Sequence, residues 1–163
     1  MLYHTALSIS SALTLHLTAD DNSLLRLDFA AQPLLPASAA ENHILQKAVQ
    51  ELREYFQGRR QTFTVPIRFN GTKFQQQVWQ ALRQIPYGTT CSYKELAASI
   101  GSPGASRAVG SACHRNPLPV IIPCHRVVGS SGKLTGYAGG LKLKKQLLQL
   151  EKTAALKTLT AKP

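Results

Sequence analysis

Cys124 and His125 are adjacent in this 163-residue sequence, and together they could carry out nucleophilic chemistry. A thiolate is a strong, soft nucleophile, and a neighbouring imidazole can lower the pKa of the thiol or relay its proton through a water molecule. An apolar run and a proline precede the pair. We therefore expect a short buried strand over Val120–Ile122, with the thiol held rigidly where this strand ends.

A histidine in this role needs a carboxylate to orient it, and residues 91–163 contain only Glu95 and Glu151. The pattern from Ser92 to Glu95 predicts a capping box, which already uses the Glu95 carboxylate. Glu151 is therefore the candidate partner of the histidine by elimination.

The tripeptide Cys-His-Arg occurs twice, at residues 113–115 and 124–126. A metal site built from both Cys-His pairs is disfavoured, because adjacent ligands do not match the spacing of zinc sites. Cys91 and Cys113 are expected to be buried, inert thiols. An odd number of cysteines without a C-x-x-C pair fits a reducing compartment.

Basic residues are concentrated in the second part of the chain. The formal net charge is +11, and residues 91–163 hold eleven Lys and Arg against two acidic residues, a net charge of +9. This asymmetry favours a polyanion such as nucleic acid as partner, although a solvated basic surface is the alternative. No apolar run reaches the roughly 20 residues that span a bilayer, and the N-terminus lacks a secretory pattern. We expect an intracellular protein, in the cytoplasm or at the nucleoid.

The first part of the chain is expected to form a small α/β domain. Leucines alternate with polar residues on both sides of an Asp-Asp-Asn turn, in Leu13–Leu17 and Leu24–Leu27, and this pattern predicts a β-hairpin. Helical spacing of apolar residues predicts a helix over Glu41–Gln57, ended by Gly58. Thr62–Ile67 is predicted to be a short strand.

The second part is expected to be mostly helical, with domains at residues 1–70 and 71–151. A helix capped by Ser92, and a second from Gly104 to about His114 behind a Ser-Pro cap, predict a helix-turn-helix. An ordinary helix pair is the alternative. The second helix consists mainly of small residues, which would leave Arg107 projecting alone.

The end of the chain is predicted to be an amphipathic helix followed by a basic tail. Apolar residues at helical spacing place the helix over Leu141–Glu151, with Lys142, Lys144 and Lys145 facing outward. Residues 152–163 form the predicted tail.

The motif IPCHRVVG at residues 122–129 resembles the active-site signature of the O6-alkylguanine-DNA alkyltransferases. The resemblance covers roughly residues 72–151 in order. It includes FQxxVW at 74–79, IPYG at 85–88, SY at 92–93, RAVG at 107–110, NP at 116–117 and GYxGG at 136–140.

The resemblance implies direct-reversal DNA repair by a ribonuclease-H-like N-terminal domain joined to a helix-turn-helix domain. One protein molecule would take an alkyl group from O6 of guanine, and also from O4 of thymine, after the base is flipped out of the duplex. It would do so once and irreversibly, without a cofactor. The implied partner is double-stranded DNA, approached as a monomer from the minor-groove side.

The resemblance also implies a role for each matching residue. Cys124 is the nucleophile and permanent alkyl acceptor, and His125, through a water molecule, and Glu151 activate it. Tyr93 assists the guanine as a leaving group, and Asn116 braces the site.

The DNA contacts and the base pocket follow from the same resemblance. Arg107 enters the base stack in place of the extruded base. The other implied DNA contacts are Ser92, Tyr93, Ala105, Ala108, Gly110 and Arg126. The implied pocket residues are Val127, Tyr137, Ala138 and Gly139.

The chain departs from the family pattern at two places. Some members bind zinc in the N-terminal domain through cysteines and histidines, but residues 1–90 contain no cysteine here, so we predict no metal. The stretch 113–115 is bulkier and more basic than expected, which leaves its contacts undefined.

The residues themselves suit this chemistry. Attack at a saturated carbon favours a thiolate over a hydroxyl, and water does not readily cleave the resulting thioether. Two other classes of protein stay open: a DNA-binding module in which Cys124 is a buried thiol or redox sensor, and a cysteine hydrolase. Loss of activity after one turnover would separate the alkyltransferase from both.

Overall fold

The protein forms two compact units, Met1–Phe69 and Asn70–Pro163. The computed structural model describes residues 1–30, 36–38 and 40–161, with side chains described up to residue 158. In this part of the chain no helix combines the length and apolar character needed to cross a membrane.

The first unit is an antiparallel sheet with one helix packed on it. The sheet has the order β1-β2-β3. Its strands are β1 (Tyr3–Ser10), β2 (Leu13–Ala19) and β3 (Leu24–Phe29), and the helix is α1 (His43–Phe56). The predicted hairpin, formed by β2 and β3, is confirmed, and β1 is an additional strand. The Asn42 side chain caps α1 by accepting a hydrogen bond of 2.8 Å from the Leu45 amide.

The predicted strand Thr62–Ile67 is wrong. Only Ile67 makes a β-bridge in this segment of the described chain. The amides of residues 64 and 65 donate instead to the buried Glu51 carboxylate, at 2.9 Å each. The segment pairs with β3 only at its end, where the Leu24 amide donates to the Pro66 carbonyl at 2.8 Å and the Arg68 amide donates to the Leu24 carbonyl at 3.0 Å. Pro66 has no N–H to extend this pairing into a strand.

The second unit is mostly helical, which confirms the predicted class of the C-terminal part. Its helices are α2 (Lys73–Leu82), α3 (Tyr93–Ser99), α4 (Ser106–His114) and α5 (Leu141–Ala161). Two short parallel strands, β4 (Cys91–Ser92) and β5 (Val127–Val128), join the start of α3 to the chain that follows Cys124.

The helix-turn-helix of α3 and α4 is fixed by its caps and by α2. The Ser92 hydroxyl accepts a 3.0 Å hydrogen bond from the Glu95 amide, which confirms the predicted serine cap. The predicted return bond from the Ser92 amide to the Glu95 carboxylate is not formed between these two described residues, so that half of the capping box is wrong. The buried indole of Trp79 in α2 donates a 2.8 Å hydrogen bond to the Ala112 carbonyl. This bond ties α4 to the core of the second unit.

The predicted Ser-Pro cap of the second helix is wrong. The helix begins at Ser106, with Ala105 as N-cap and no side-chain cap. The Ala105 amide donates to the Ser102 carbonyl at 2.9 Å, which closes a separate turn before the helix.

The last helix is longer than predicted. Helix α5 continues beyond Glu151 to Ala161, so most of the predicted tail is helical, and residues 162–163 of that tail lie outside the described part. No glycine or proline interrupts residues 152–161, and Ala154 is buried. The sequence therefore contains no helix breaker after Glu151, and a buried residue beyond it continues the packed face of the helix.

Gly88 provides a test of how closely the loop before β4 packs against α5. Its φ is +79°, and a Cβ there would lie 2.9 Å from the Ala155 Cβ. Gly101 has a φ of +78° with no atom within 4 Å of a Cβ, so it is a matched control. Gly101→Ala should lose roughly 1–2 kcal/mol of unfolding free energy through backbone strain alone. Gly88→Ala should lose more in urea denaturation, and equal losses would contradict the close packing.

Candidate active site

The segment before Cys124 is a buried turn, so the predicted strand Val120–Ile122 is wrong. The Ile122 amide donates to the Leu118 carbonyl at 2.8 Å, which closes the turn. Val120 lies in the left-handed region with a φ of +76°, a conformation that β-branched residues rarely adopt. An apolar run indicates that a segment is buried, but it does not by itself indicate that the segment is a strand.

Asn116 holds this turn with both ends of its amide. Its Nδ2 donates to the Ile122 carbonyl at 2.7 Å, and its Oδ1 accepts from the Leu118 amide at 2.9 Å. Asn116 therefore fixes the backbone that positions the sulfur.

Cys124 begins a 3₁₀ turn, Cys124–Arg126, and is only 6% exposed. The thiol lines a cavity of about 400 Å³ in the second unit. The other lining residues are Tyr93, Ser106, Arg107, Gly110, Cys113, His114, Thr135, Gly136, Tyr137 and Ala138. A buried thiol thus faces a cavity that the helix-turn-helix and the glycine-rich loop enclose.

The carboxylate of Glu151 joins the elements behind the thiol. It accepts from His125 Nε2 at 2.6 Å and from the Arg126 guanidinium at 2.8 and 3.0 Å. The Gly88 amide donates to the same carboxylate at 3.2 Å. One side chain of α5 therefore anchors both the turn that carries Cys124 and the loop before β4.

Arg126 does not lie where a DNA contact requires it, and this part of the prediction is wrong. The side chain is buried. Besides its bonds to Glu151, it donates from Nη1 to the Ile85 carbonyl at 2.7 Å, and the Tyr87 ring lies 5.5 Å from its Cζ. Such a buried, paired guanidinium cannot reach a phosphate without leaving an uncompensated charge behind.

Burial and the bond to Glu151 together fix the protonation state and the tautomer of His125. Burial alone would raise the pKa of Glu151, but hydrogen bonds from His125 and Arg126 outweigh burial and lower this pKa to about 2. Burial lowers the pKa of His125, against the opposing pull of Glu151, so its imidazole is neutral near pH 7. An ionised carboxylate can only accept, so the proton of the neutral ring lies on Nε2 and Nδ1 carries a lone pair.

The thiol itself is protonated at neutral pH. Burial raises the pKa of Cys124 to about 11, although the Asn116 hydrogen bond and the positive charge of Lys144 act in the opposite direction. The site therefore holds a thiol next to a neutral base, and the proton must leave when the thiol reacts.

Lys144 is buried, so its predicted outward orientation is wrong. Its side chain is fully enclosed, and Nζ donates to the Thr135 carbonyl at 3.1 Å. Positions 144 and 151 are seven residues apart and thus share one face of α5, together with the buried Leu147. This spacing is the signal that could have placed the lysine beside the site.

The other predicted residues divide between the cavity and its surroundings. Arg107 and Ala108 are exposed on α4, Gly110 and Ala105 are partly exposed, and the Ser92 hydroxyl is buried as a helix cap. Tyr137 and Ala138 line the cavity, but Val127 does not: it is fully buried in β5, paired with Cys91. Gly139 is also outside the set of residues that line the cavity.

Two features of the site could not be read from the sequence pattern. Cys113, at the end of α4, lines the same cavity as Cys124, and burial raises its pKa well above the ordinary value. Thr135 lines it as well, with its hydroxyl 2.7 Å from the Tyr93 phenol oxygen. Within the described residues, no group of three or more His, Cys, Asp and Glu side chains could hold a metal ion.

Comparisons with known proteins cover both units. A model of the 6-O-methylguanine DNA methyltransferase ribonuclease-like domain matches residues 3–69, which confirms the expected class of N-terminal domain. A model of the 6-O-methylguanine DNA methyltransferase DNA binding domain matches residues 73–153.

Individual proteins are similar over most of the chain. The methylated-DNA--protein-cysteine methyltransferase of Mycobacterium leprae is 49% identical over 138 residues, which are 85% of this chain and 84% of that protein. A crystal structure of Mycobacterium tuberculosis O6-methylguanine methyltransferase matches with a TM-score of 0.84 at 43% identity over 94% of each chain. A crystal structure of Mycobacterium tuberculosis OGT in complex with DNA matches with a TM-score of 0.81 at 43% identity over 93% of each chain.

The protonation state of the thiol can be measured with iodoacetamide in the absence of DNA. Because the pKa of Cys124 is about 11, the thiolate fraction is small near neutral pH. The rate of Cys124 carbamidomethylation should rise about tenfold per pH unit between about pH 7 and about pH 9. Peptide mass mapping gives the rate, and circular dichroism at each pH controls for folding. A rate already constant below about pH 8 would indicate a preformed thiolate and contradict this account.

Proposed function

The chain belongs to the 6-O-methylguanine DNA methyltransferase family, and we propose that it repairs DNA by transferring an alkyl group from O6 of guanine to its own Cys124. The observation that carries this proposal is the thiol itself. It faces a cavity next to a helix-turn-helix, and a His125–Glu151 pair stands behind it. A relative of this chain has been crystallised with DNA, which supports DNA as the partner.

The reaction is a displacement at a saturated carbon. The sulfur of Cys124 forms a bond to the alkyl carbon while the bond from that carbon to O6 breaks, and the electron pair of the broken bond stays on the guanine. The thiol proton leaves the sulfur and ultimately restores the neutral guanine. The product is a thioether that water does not cleave, so each molecule acts once and needs no cofactor.

His125 is the group that receives the thiol proton, through a water molecule. Its neutral ring has a lone pair on Nδ1, while Nε2–H is held by the ionised Glu151. The imidazolium that forms is stabilised by the same carboxylate, whose position Arg126 fixes. Asn116 keeps the sulfur and the turn in place during transfer.

The damaged base must leave the duplex to reach the cavity. Flipping a base costs a few kcal/mol, and less for a badly paired base. Arg107 is exposed on α4 and also lines the cavity, so it can fill the gap that the flipped base leaves. The small residues Ala105, Ala108 and Gly110 allow α4 to lie close to the minor groove.

The base then lies between Tyr93 and the loop that carries Tyr137 and Ala138. The phenol of Tyr93 is directed at the guanine, which is the leaving group, and the cavity also admits thymine alkylated at O4.

The two parts of the chain have different roles: residues 71–151 bind DNA and transfer the group, and residues 1–70 form a separate domain. The protein acts as a monomer inside the cell, where the DNA that it repairs is located.

Intact-protein mass spectrometry after incubation with an O6-methylguanine duplex tests the proposal. Wild-type protein should gain one methylene mass, roughly 14 Da, in a 1:1 ratio with the repaired base, and peptide mapping should place the gain on Cys124. Cys124→Ala should gain nothing but still bind the duplex. Cys113→Ala should gain the same mass as wild type. This result would exclude the second thiol of the cavity as the acceptor. If the wild-type protein binds the duplex but its mass does not change, the proposed transfer is wrong and the protein is a DNA-binding module.

A further inference from the structure

The phenol of Tyr93 is hydrogen-bonded within the protein. Its oxygen lies 2.7 Å from the Thr135 hydroxyl oxygen, and both side chains line the cavity that Cys124 faces. Thr135 belongs to the loop between β5 and α5, whereas Tyr93 is the first residue of α3. The bond thus connects the helix-turn-helix to the opposite wall of the cavity.

The ring of Tyr93 is held by packing on two further sides. A Cβ on Gly110 of α4 would lie 3.8 Å from the ring, so the ring lies against that backbone. The Lys144 ammonium lies 5.9 Å from the ring centroid, within the range of a cation–π contact. These contacts fix the plane of the ring, and the bond to Thr135 fixes its hydroxyl.

Thr135 is itself held in place by its backbone and its methyl group. Its carbonyl accepts the 3.1 Å bond from the fully buried Lys144. The Gly129 amide donates to the Lys133 carbonyl at 2.8 Å, and a Cβ on Gly129 would lie 3.8 Å from the Thr135 methyl. The threonine hydroxyl is therefore presented to Tyr93 from a fixed backbone.

We propose that Thr135 is a positioning residue of the alkyl transfer, which holds the Tyr93 phenol with its proton directed into the base cavity. When the Thr135 hydroxyl donates to the phenol oxygen, the phenol proton is available to an acceptor atom of the bound guanine. This inference rests on the proposed function, because the guanine is the group that the phenol addresses.

The chemistry of the transfer explains why this arrangement matters. Negative charge builds on the guanine as the carbon–oxygen bond breaks, so a hydrogen bond directed at the base strengthens in the transition state. A donor behind the phenol polarises it and strengthens that bond further. Thr135 should therefore act on the rate of transfer rather than on DNA affinity.

Thr135→Val removes the hydroxyl at nearly constant shape, and Thr135→Ser retains it. Under saturating protein, Thr135→Val should transfer methyl from an O6-methylguanine duplex roughly tenfold more slowly than wild type, while Thr135→Ser keeps most of the rate. Fluorescence anisotropy should show little change in the Kd for the duplex. Thermal unfolding checks that each variant is folded, and Thr135→Ala replaces Thr135→Val if the latter is not.

A double-mutant cycle with Tyr93→Phe separates positioning from general structure. If Thr135 acts through the phenol, Thr135→Val should not slow the Tyr93→Phe protein any further. Equal slowing in both backgrounds, or a wild-type rate in the Thr135→Val single variant, would overturn the inference. Failure of wild-type protein to gain a methyl group would instead overturn the proposed function.

Discussion

The second unit depends on one buried carboxylate. Glu151 accepts hydrogen bonds from the Arg126 guanidinium, the His125 ring and the Gly88 amide. The turn that carries Cys124 and the loop before β4, which are far apart in sequence, therefore both meet α5 at the two oxygens of this carboxylate. Removing one partner of such a buried pair generally costs about 3–5 kcal/mol, because the other charge is left unpaired. Arg126 therefore contributes to the site through Glu151, although the family resemblance implies a contact with DNA.

Burial, together with the groups behind the thiol, explains how an unreactive thiol can be kept ready. Burial raises the pKa of Cys124 to about 11, so the resting sulfur is protected by its proton and does not react with every electrophile. In the proposed mechanism, the neutral His125 takes this proton when a substrate carbon is in place. Lys144, the other buried cation of the unit, favours the thiolate that forms at that moment and also touches the Tyr93 ring. Burial thus protects the thiol at rest, and the neighbouring His125 and Lys144 favour its ionised form when it reacts.

The sequence predicted part of the local structure and one long-range contact, the bond between His125 and Glu151. The hairpin and the Ser92 cap could be predicted because each depends on a few neighbouring residues. Val120–Ile122 was predicted as a strand because its residues are apolar, whereas Asn116, several residues earlier, bonds the segment into a turn. Lys144 was predicted to face solvent because lysine usually does. Its burial accompanies the bond to the Thr135 carbonyl, and the only sign of it in the sequence is its seven-residue spacing from Glu151 on α5.

The protonation of His125 is the most direct test of this account. In protein labelled with ¹⁵N-histidine, two-dimensional NMR near pH 7 reports which ring nitrogens carry protons, and the signal is assigned by its loss in His125→Gln. Burial predicts a neutral ring, and the bond to the ionised Glu151 carboxylate predicts that its proton lies on Nε2. A doubly protonated ring, or a proton on Nδ1, would remove the acceptor for the thiol proton and contradict the mechanism.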